Sequence, residues 1–198
     1  NELIWGVNTK RMGPSDYWPT ISQAPRKIIK TNGTTWHSMS GWSFNAPTLN
    51  TVQRFYTENG KLPADDNDFY RKSEWYIRFY EGTSSPALER DDIDKEDVKN
   101  DIIKFNVGRE ARYYAWIAFD GCQYATNIRD GEPLWLNLKN SATNGYVLND
   151  RNYTGTGFMT KKFMTPDIKY DKTNKVTGNT TRLPFIRMAE LYLNLAEC

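Results

Sequence analysis

The chain has 198 residues, with 26 basic against 24 acidic side chains and a net charge of +2. That length suits one fair-sized domain or part of a larger one, and the near balance of charge gives no case for nucleic acid or an anionic membrane as partner. The longest apolar runs fall far short of the roughly 18–20 residues of a membrane-spanning helix, and Asn1 opens directly in Asn1-Glu2-Leu3-Ile4-Trp5 without a signal peptide, as a mature, cut or partial chain would.

Rings are abundant and aliphatics scarce: aromatics make up 14% of the chain, with seven Trp and twelve Tyr, while mean hydropathy is −0.74. Such rings suit a surface that binds amphipathic ligands, and equally a polar, loop-rich domain whose core is built from rings. Cys122 and Cys198 imply no disulfide framework. A single histidine, His37, and cysteines without metal-ligand spacing argue against a zinc site.

Residues 1–46 are broken repeatedly by glycine and proline and hold Trp5, Trp18, Trp36 and Trp42. They read as an irregular functional segment, too ring-rich for disorder. From Pro47 the pattern changes. Thr48 is a candidate N-cap, Leu49, Val52, Phe55 and Tyr56 follow at helical spacing, and Gly60 closes the run. After a polar loop, the rings from Phe69 to Tyr80 predict a helix, with an extended segment as the alternative. A second helix is predicted over about Lys95–Phe105, stopped by Gly108. Tyr113, Tyr114, Trp116, Ile117 and Phe119 read as a helical turn feeding a strand into the Asp120-Gly121 turn. Residues 122–180 read as loop and short strand, with hairpin signals at Asn144-Gly145 and Asn174-Lys175 and the most strand-like stretch at Thr156–Met164.

The last helix is predicted from Ile186 to Glu197. At about 100° per residue, Arg187, Glu190, Asn194 and Glu197 form a polar stripe only about 80° wide, with apolar residues over nearly all the rest. Such a helix is expected to be buried on several sides. Neighbours supplied beyond Cys198 would complete it, so the sequence reads as a fragment.

Pro184 and the run from Arg187-Met188-Ala189-Glu190 through Tyr192-Leu193 to Ala196-Glu197 resemble the signature of the SusD/RagB family of starch-utilisation-type nutrient-binding lipoproteins. Other pieces follow the family's order. Glu2-Leu3-Ile4-Trp5 is similar to its "Glu-x-Ile-aromatic" strand, and Pro47-Thr48 through Asn59-Gly60 to its "Pro-Thr, helix, Asp/Asn-Gly" stretch. Arg109-Glu110-Ala111-Arg112-Tyr113 resembles "Arg-Asp-Pro-Arg-aromatic", with Glu110-Ala111 departing from Asp-Pro, and Thr156-Gly157-Phe158 with Lys161-Lys162-Phe163 resembles "Thr-Gly-aromatic, Lys-aromatic". The resemblance spans the whole chain as the central and later part of a longer protein.

It implies a mainly α protein, a tetratricopeptide-like helical scaffold carrying an irregular loop-rich half with short strands. This chain is then part of one such domain: residues 1–46 a ligand-facing segment, 47–181 mixed helix and loop, and 182–198 the start of a buried scaffold helix. It also implies a surface lipoprotein of the outer membrane, its lipid anchor outside this chain. Such a protein caps a TonB-dependent transporter, binds oligosaccharide and hands it on without catalysis. Peptide or other nutrient binding, or mainly transporter docking, are the alternatives, ahead of a glycoside hydrolase. No cofactor, metal or nucleic acid is implied.

Sugar recognition needs exposed rings on which a pyranose can stack, with polar groups at the rim. Tyr17 and Trp18 between two prolines, and Trp36, His37 and Trp42 among Gly, Ser, Thr and Asn, fit that need and are the candidate ligand-binding residues. Each ring reads equally as a plug beneath a loop, and His37 as a solvated loop residue. Arg109, Arg112, Arg187 and Glu190 read as ties between helix ends and loops rather than as ligand contacts. Enzyme readings have less behind them. Asp65, Asp66, Asp68, Asp91 and Asp92 are neighbours on polar loops rather than a carboxyl pair across a cleft, Asp66-Asn67-Asp68 lacks the rest of a calcium loop, and Cys122 has no evident histidine partner.

Overall fold

The computed structural model describes residues 3–7, 25, 27–29, 35–38, 45–77, 102–127, 133–138, 153–162, 169–170, 176–177 and 183–197. In chain order they form strands β1 (Leu3–Val7), β2 (Lys27–Ile29) and β3 (Thr35–Ser38), helices α1 (Leu49–Gln53) and α2 (Ala111–Trp116), and strands β4 (Ile117–Phe119), β5 (Gln123–Asn127), β6 (Pro133–Trp135) and β7 (Phe158–Thr160). Strands β8 (Lys169–Tyr170), β9 (Val176–Thr177) and β10 (Leu183–Arg187) and helix α3 (Met188–Glu197) follow.

Every described strand lies in an antiparallel pair: β1 with β10, β2 with β3, β4 with β7, β5 with β6, and β8 with β9. The widest closure sets Leu3 opposite Arg187 and Val7 opposite Leu183. Residues 1–46, expected to be irregular, therefore contribute the three strands β1, β2 and β3 among their described residues. The β2–β3 hairpin has a bulge between Ile28 and Ile29. Tyr170 opposite Val176 closes the hairpin signalled by Asn174-Lys175; Asn144-Gly145 lies outside the described residues.

The core is built from rings. Phe55, Trp75, Phe105, Tyr113, Phe119, Tyr124 and Phe158 are buried with Val52, Ile102, Val107 and Ile117. The Phe55 ring meets Tyr113 edge-on at 5.7 Å, and Trp75 tilts against Phe105 at 5.0 Å. Offset and edge-on contacts of this kind add to the burial of large apolar area.

The helices are shorter than periodicity predicts, and hydrogen bonds from elsewhere in the fold are the reason. Thr48 is the N-cap of α1, its hydroxyl accepting the Thr51 N–H at 3.2 Å. The helix ends at Gln53 because the next N–H groups bond elsewhere, Tyr56 N–H to the Glu110 carboxylate and Thr57 N–H to Lys61 O, while the Arg109 guanidinium takes Val52 O. Over its described residues the ring-rich run after Phe69 makes a tight turn at Lys72–Glu74 and no α-helix. The Trp75 and Ile77 carbonyls accept the N–H groups of Phe105 and Lys104, which would otherwise serve a helix. The same bonds hold Lys104–Asn106 to a single 3₁₀ turn where a helix was expected; residues 95–101 of that expectation lie outside the described residues. Gly108 follows with φ +65°. The predicted helical turn feeding a strand is present as α2 running into β4, and Gly121 turns the chain at φ 88°.

Helix α3 forms, but Leu183–Arg187 before it is strand, not helix. No residue of α3 is buried, and Leu191, Tyr192, Leu193 and Leu195 are 48% to 72% exposed. The expectation of a helix covered on several sides is not met by the described residues. The described fold is paired short strands and short helices over a ring core, rather than a helical scaffold.

Candidate functional site

The densest hydrogen-bonded cluster described centres on Arg109, which has no exposed surface. Its guanidinium donates to four backbone carbonyls: Nε to Tyr56 O at 3.3 Å, one terminal nitrogen to Phe105 O at 3.1 Å, the other to Val52 O at 3.0 Å and Phe55 O at 2.7 Å. The Phe105 and Tyr113 rings lie 4.4 and 4.3 Å from its central carbon. Burial draws its pKa below the ordinary arginine value, while Tyr113, Tyr114 and Glu110 pull the other way. A guanidinium stays charged under such a shift. Arg109 thus ties the end of α1 to the 105–109 turn, the structural role expected of it.

Glu110 completes the tie. Its carboxylate accepts the Tyr56 N–H at 2.9 Å and an Arg112 N–H at 3.0 Å, and its own N–H donates to Tyr56 O. The turn that the family sets with Asp-Pro is set here by those bonds, and α2 starts at Ala111 without proline. Arg112 also lies 5.2 Å from the Phe55 ring. Arg187 and Glu190 are exposed at the junction of β10 and α3.

Asp66 is buried and accepts from the Thr57 hydroxyl at 2.5 Å, the Asn59 amide at 3.1 Å and the Asp68 N–H at 3.1 Å. The Thr57 bond is the largest cause holding its pKa below the usual aspartate value, against the opposing effect of burial. Its oxygens therefore organise the 57–68 turn. Cys122 is buried as well, its sulfur accepting the Phe119 N–H at 3.2 Å.

An open cleft of about 490 Å³ lies beside this core. Asn50, Gln53 and Arg54 border it from α1 and its end, with Tyr56 next to them and Lys72 across the loop. Leu62, Ala64 and Trp75 supply apolar wall. Sequence reading passed over these residues. The signal was there in a weak form: Asn50, Gln53 and Arg54 are the polar positions of a helix whose Val52 and Phe55 are core.

The sequence-predicted ligand residues fall elsewhere. Trp36 and His37 stand side by side on β3, with His37 opposite Ile28, so they sit on a strand and not on a loop as expected. Tyr17, Trp18 and Trp42 lie outside the described residues.

The paired short strands and the buried arginine clamp follow one another in the order of the sequence motifs. The chain belongs to the SusD family, whose pattern matches residues 1–198. It is similar to the solved structure of BT4246, at 42% identity and a TM-score of 0.68, covering 100% of this chain and 29% of that one. The selenomethionine form of BT4246 matches at 40% identity and a TM-score of 0.70, covering 100% of this chain and 30% of that one. The chain therefore spans less than a third of the proteins it resembles. No curated protein matches it. The family is one of surface outer-membrane lipoproteins that bind nutrients and work with a TonB-dependent transporter.

Proposed function

We infer that the protein is a non-catalytic cell-surface binder of oligosaccharide that delivers its ligand to a TonB-dependent outer-membrane transporter. The observation that carries this reading is the family match along all 198 residues. Likeness to BT4246 over the whole chain supports it. The protein sits on the outer membrane through a lipid anchor. Among the described residues no helix is long and apolar enough to cross a membrane.

Residues 1–46 face the ligand, with Tyr17, Trp18 and Trp42 joining Trp36 and His37 as the contacts. A stacked ring covers the C–H face of a pyranose, and the histidine bonds a hydroxyl. Residues 47–181 form the mixed helix and loop that hold this segment. Residues 182–198 begin a tetratricopeptide-like helical scaffold, whose further helices cover the apolar surface of α3. That surface is otherwise too apolar to face water over most of its circumference.

Calorimetry of the intact protein against a panel of neutral glycans tests the reading. Binding is expected, with Trp18→Ala and Trp36→Ala each weakening it by about ten-fold, the scale of a lost aromatic contact. A panel without any heat change, or both variants binding as the parent does, overturns it. A stable transporter complex from a protein that binds no glycan would favour the docking role instead.

A further inference from the structure

We propose that the cleft beside α1 is a binding site for an acidic saccharide, a hydroxylated ring bearing a carboxylate or a sulfate. Its volume of about 490 Å³ falls in the range of small-molecule sites, about 300–1,000 Å³. The lining chemistry selects the ligand. Arg54 and Lys72 bring two cations, and no carboxylate is among the lining residues. Of the acids beside the lining residues in sequence, Asp65 is exposed and lies outside the lining, and two others are engaged elsewhere. Glu74 pairs with Lys104 at 3.2 Å, and Asp66 is held by Thr57, Asn59 and the Asp68 N–H. Among the described residues, neither Arg54 nor Lys72 forms an ion pair.

Asn50 and Gln53 add amides that can give and take hydrogen bonds, as sugar hydroxyls require. The Tyr56 side chain, 43% exposed, adds a ring and a hydroxyl. An inorganic anion would use the cations and the N–H and O–H donors, whereas a charged sugar also uses the amide oxygens and the ring face.

Two parts of the wall are preset. Tyr56 is fixed through its backbone, its N–H on Glu110 and its carbonyl on Arg109. Trp75, 2% exposed, is fixed by its indole N–H on Tyr70 O at 2.8 Å and by its carbonyl on the Phe105 N–H. Groups held in place before binding lose little freedom on binding.

The test is titration calorimetry of the intact protein with three oligosaccharide series: uronates, sulfated sugars and their neutral counterparts. At least one acidic series is expected to bind about ten-fold tighter than the neutral one, with affinity falling as salt is raised. The two acidic arms distinguish carboxylate from sulfate. Arg54→Gln with Lys72→Gln, both at exposed positions, is expected to cut acidic binding by about ten-fold or more, the loss of charge-assisted bonds. Neutral binding and the circular dichroism spectrum should not change. Acidic and neutral series bound alike, no binding of either acidic series, or acidic binding unaltered in the double variant each overturns the proposal. The outcome is separable from the aromatic-segment reading: Trp18→Ala and Trp36→Ala weaken neutral binding there, but leave the Arg54- and Lys72-dependent preference intact.

Discussion

Arg109 shows how one side chain can organise two stretches far apart in sequence. Among the described residues it forms no ion pair with a carboxylate, and four carbonyls and two ring faces stabilise its charge. Arg109→Met is expected to destabilise the fold by about 3–5 kcal/mol, because the carbonyls lose their donors inside the core. Arg109→Lys should recover only part of that loss, since one ammonium cannot reproduce the planar fork. Urea unfolding of the intact protein checks both, and a loss under about 1 kcal/mol for Arg109→Met would contradict the clamp. Asp66 gives a pH signature. Its folded-state pKa is depressed, so its contribution is complete above the unfolded aspartate value of about 3.9 and is lost as pH falls through the lower folded value. Asp66→Asn should flatten that acid-side slope in unfolding midpoints measured across the acid range. A slope equal to the parent's would assign the acid sensitivity elsewhere. The sequence singled out Arg109 through its place in a motif and read it as a tie to a helix end. It could not show which carbonyls the guanidinium reaches, because Val52 and Phe55 lie more than fifty positions away.

At the scale of elements, local signals were readable and their limits were not. The N-cap at Thr48, the helix-to-strand passage at Trp116–Ile117 and the turn at Gly121 each follow from residues within a few positions. Where they are described, the segments after Phe69 and up to Phe105 are not α-helical for one shared reason: each satisfies the other's backbone groups, a trade that propensity cannot register. The cleft escaped notice similarly, since Lys72 meets the α1 residues only through the fold. Helix α3 carries its own prediction. If further helices cover it in the intact protein, Leu193→Asp and Leu195→Asp should each destabilise by about 2 kcal/mol or more, the scale of losing a buried leucine and burying a charge. Chemical denaturation reads this directly. Two variants as stable as the parent would mean that α3 stays in water.

For the whole molecule, the order of the motifs carried more than any single motif. Weak pieces in the right succession identified the family, and the family match runs from the first residue to the last. What succession leaves out is pairing across the chain. The β1–β10 closure joins the two ends of the described fold, and neither strand is marked by alternating polarity strong enough to reveal its mate. The ring-rich composition resolved in both directions that the sequence left open: Trp75, Tyr113 and Tyr124 are core, while Tyr56 and Tyr76 face outward.

The antiparallel β1–β10 pair also governs how this part of the protein is moored. The backbone arrives at Leu3 and departs at Arg187 from the same end of the pair, and α3 begins at the very next residue. The chain between them leaves and returns through that two-strand hem. A rotation of α3 about its own axis would be delivered straight to that hem, with no slack of linker to absorb it.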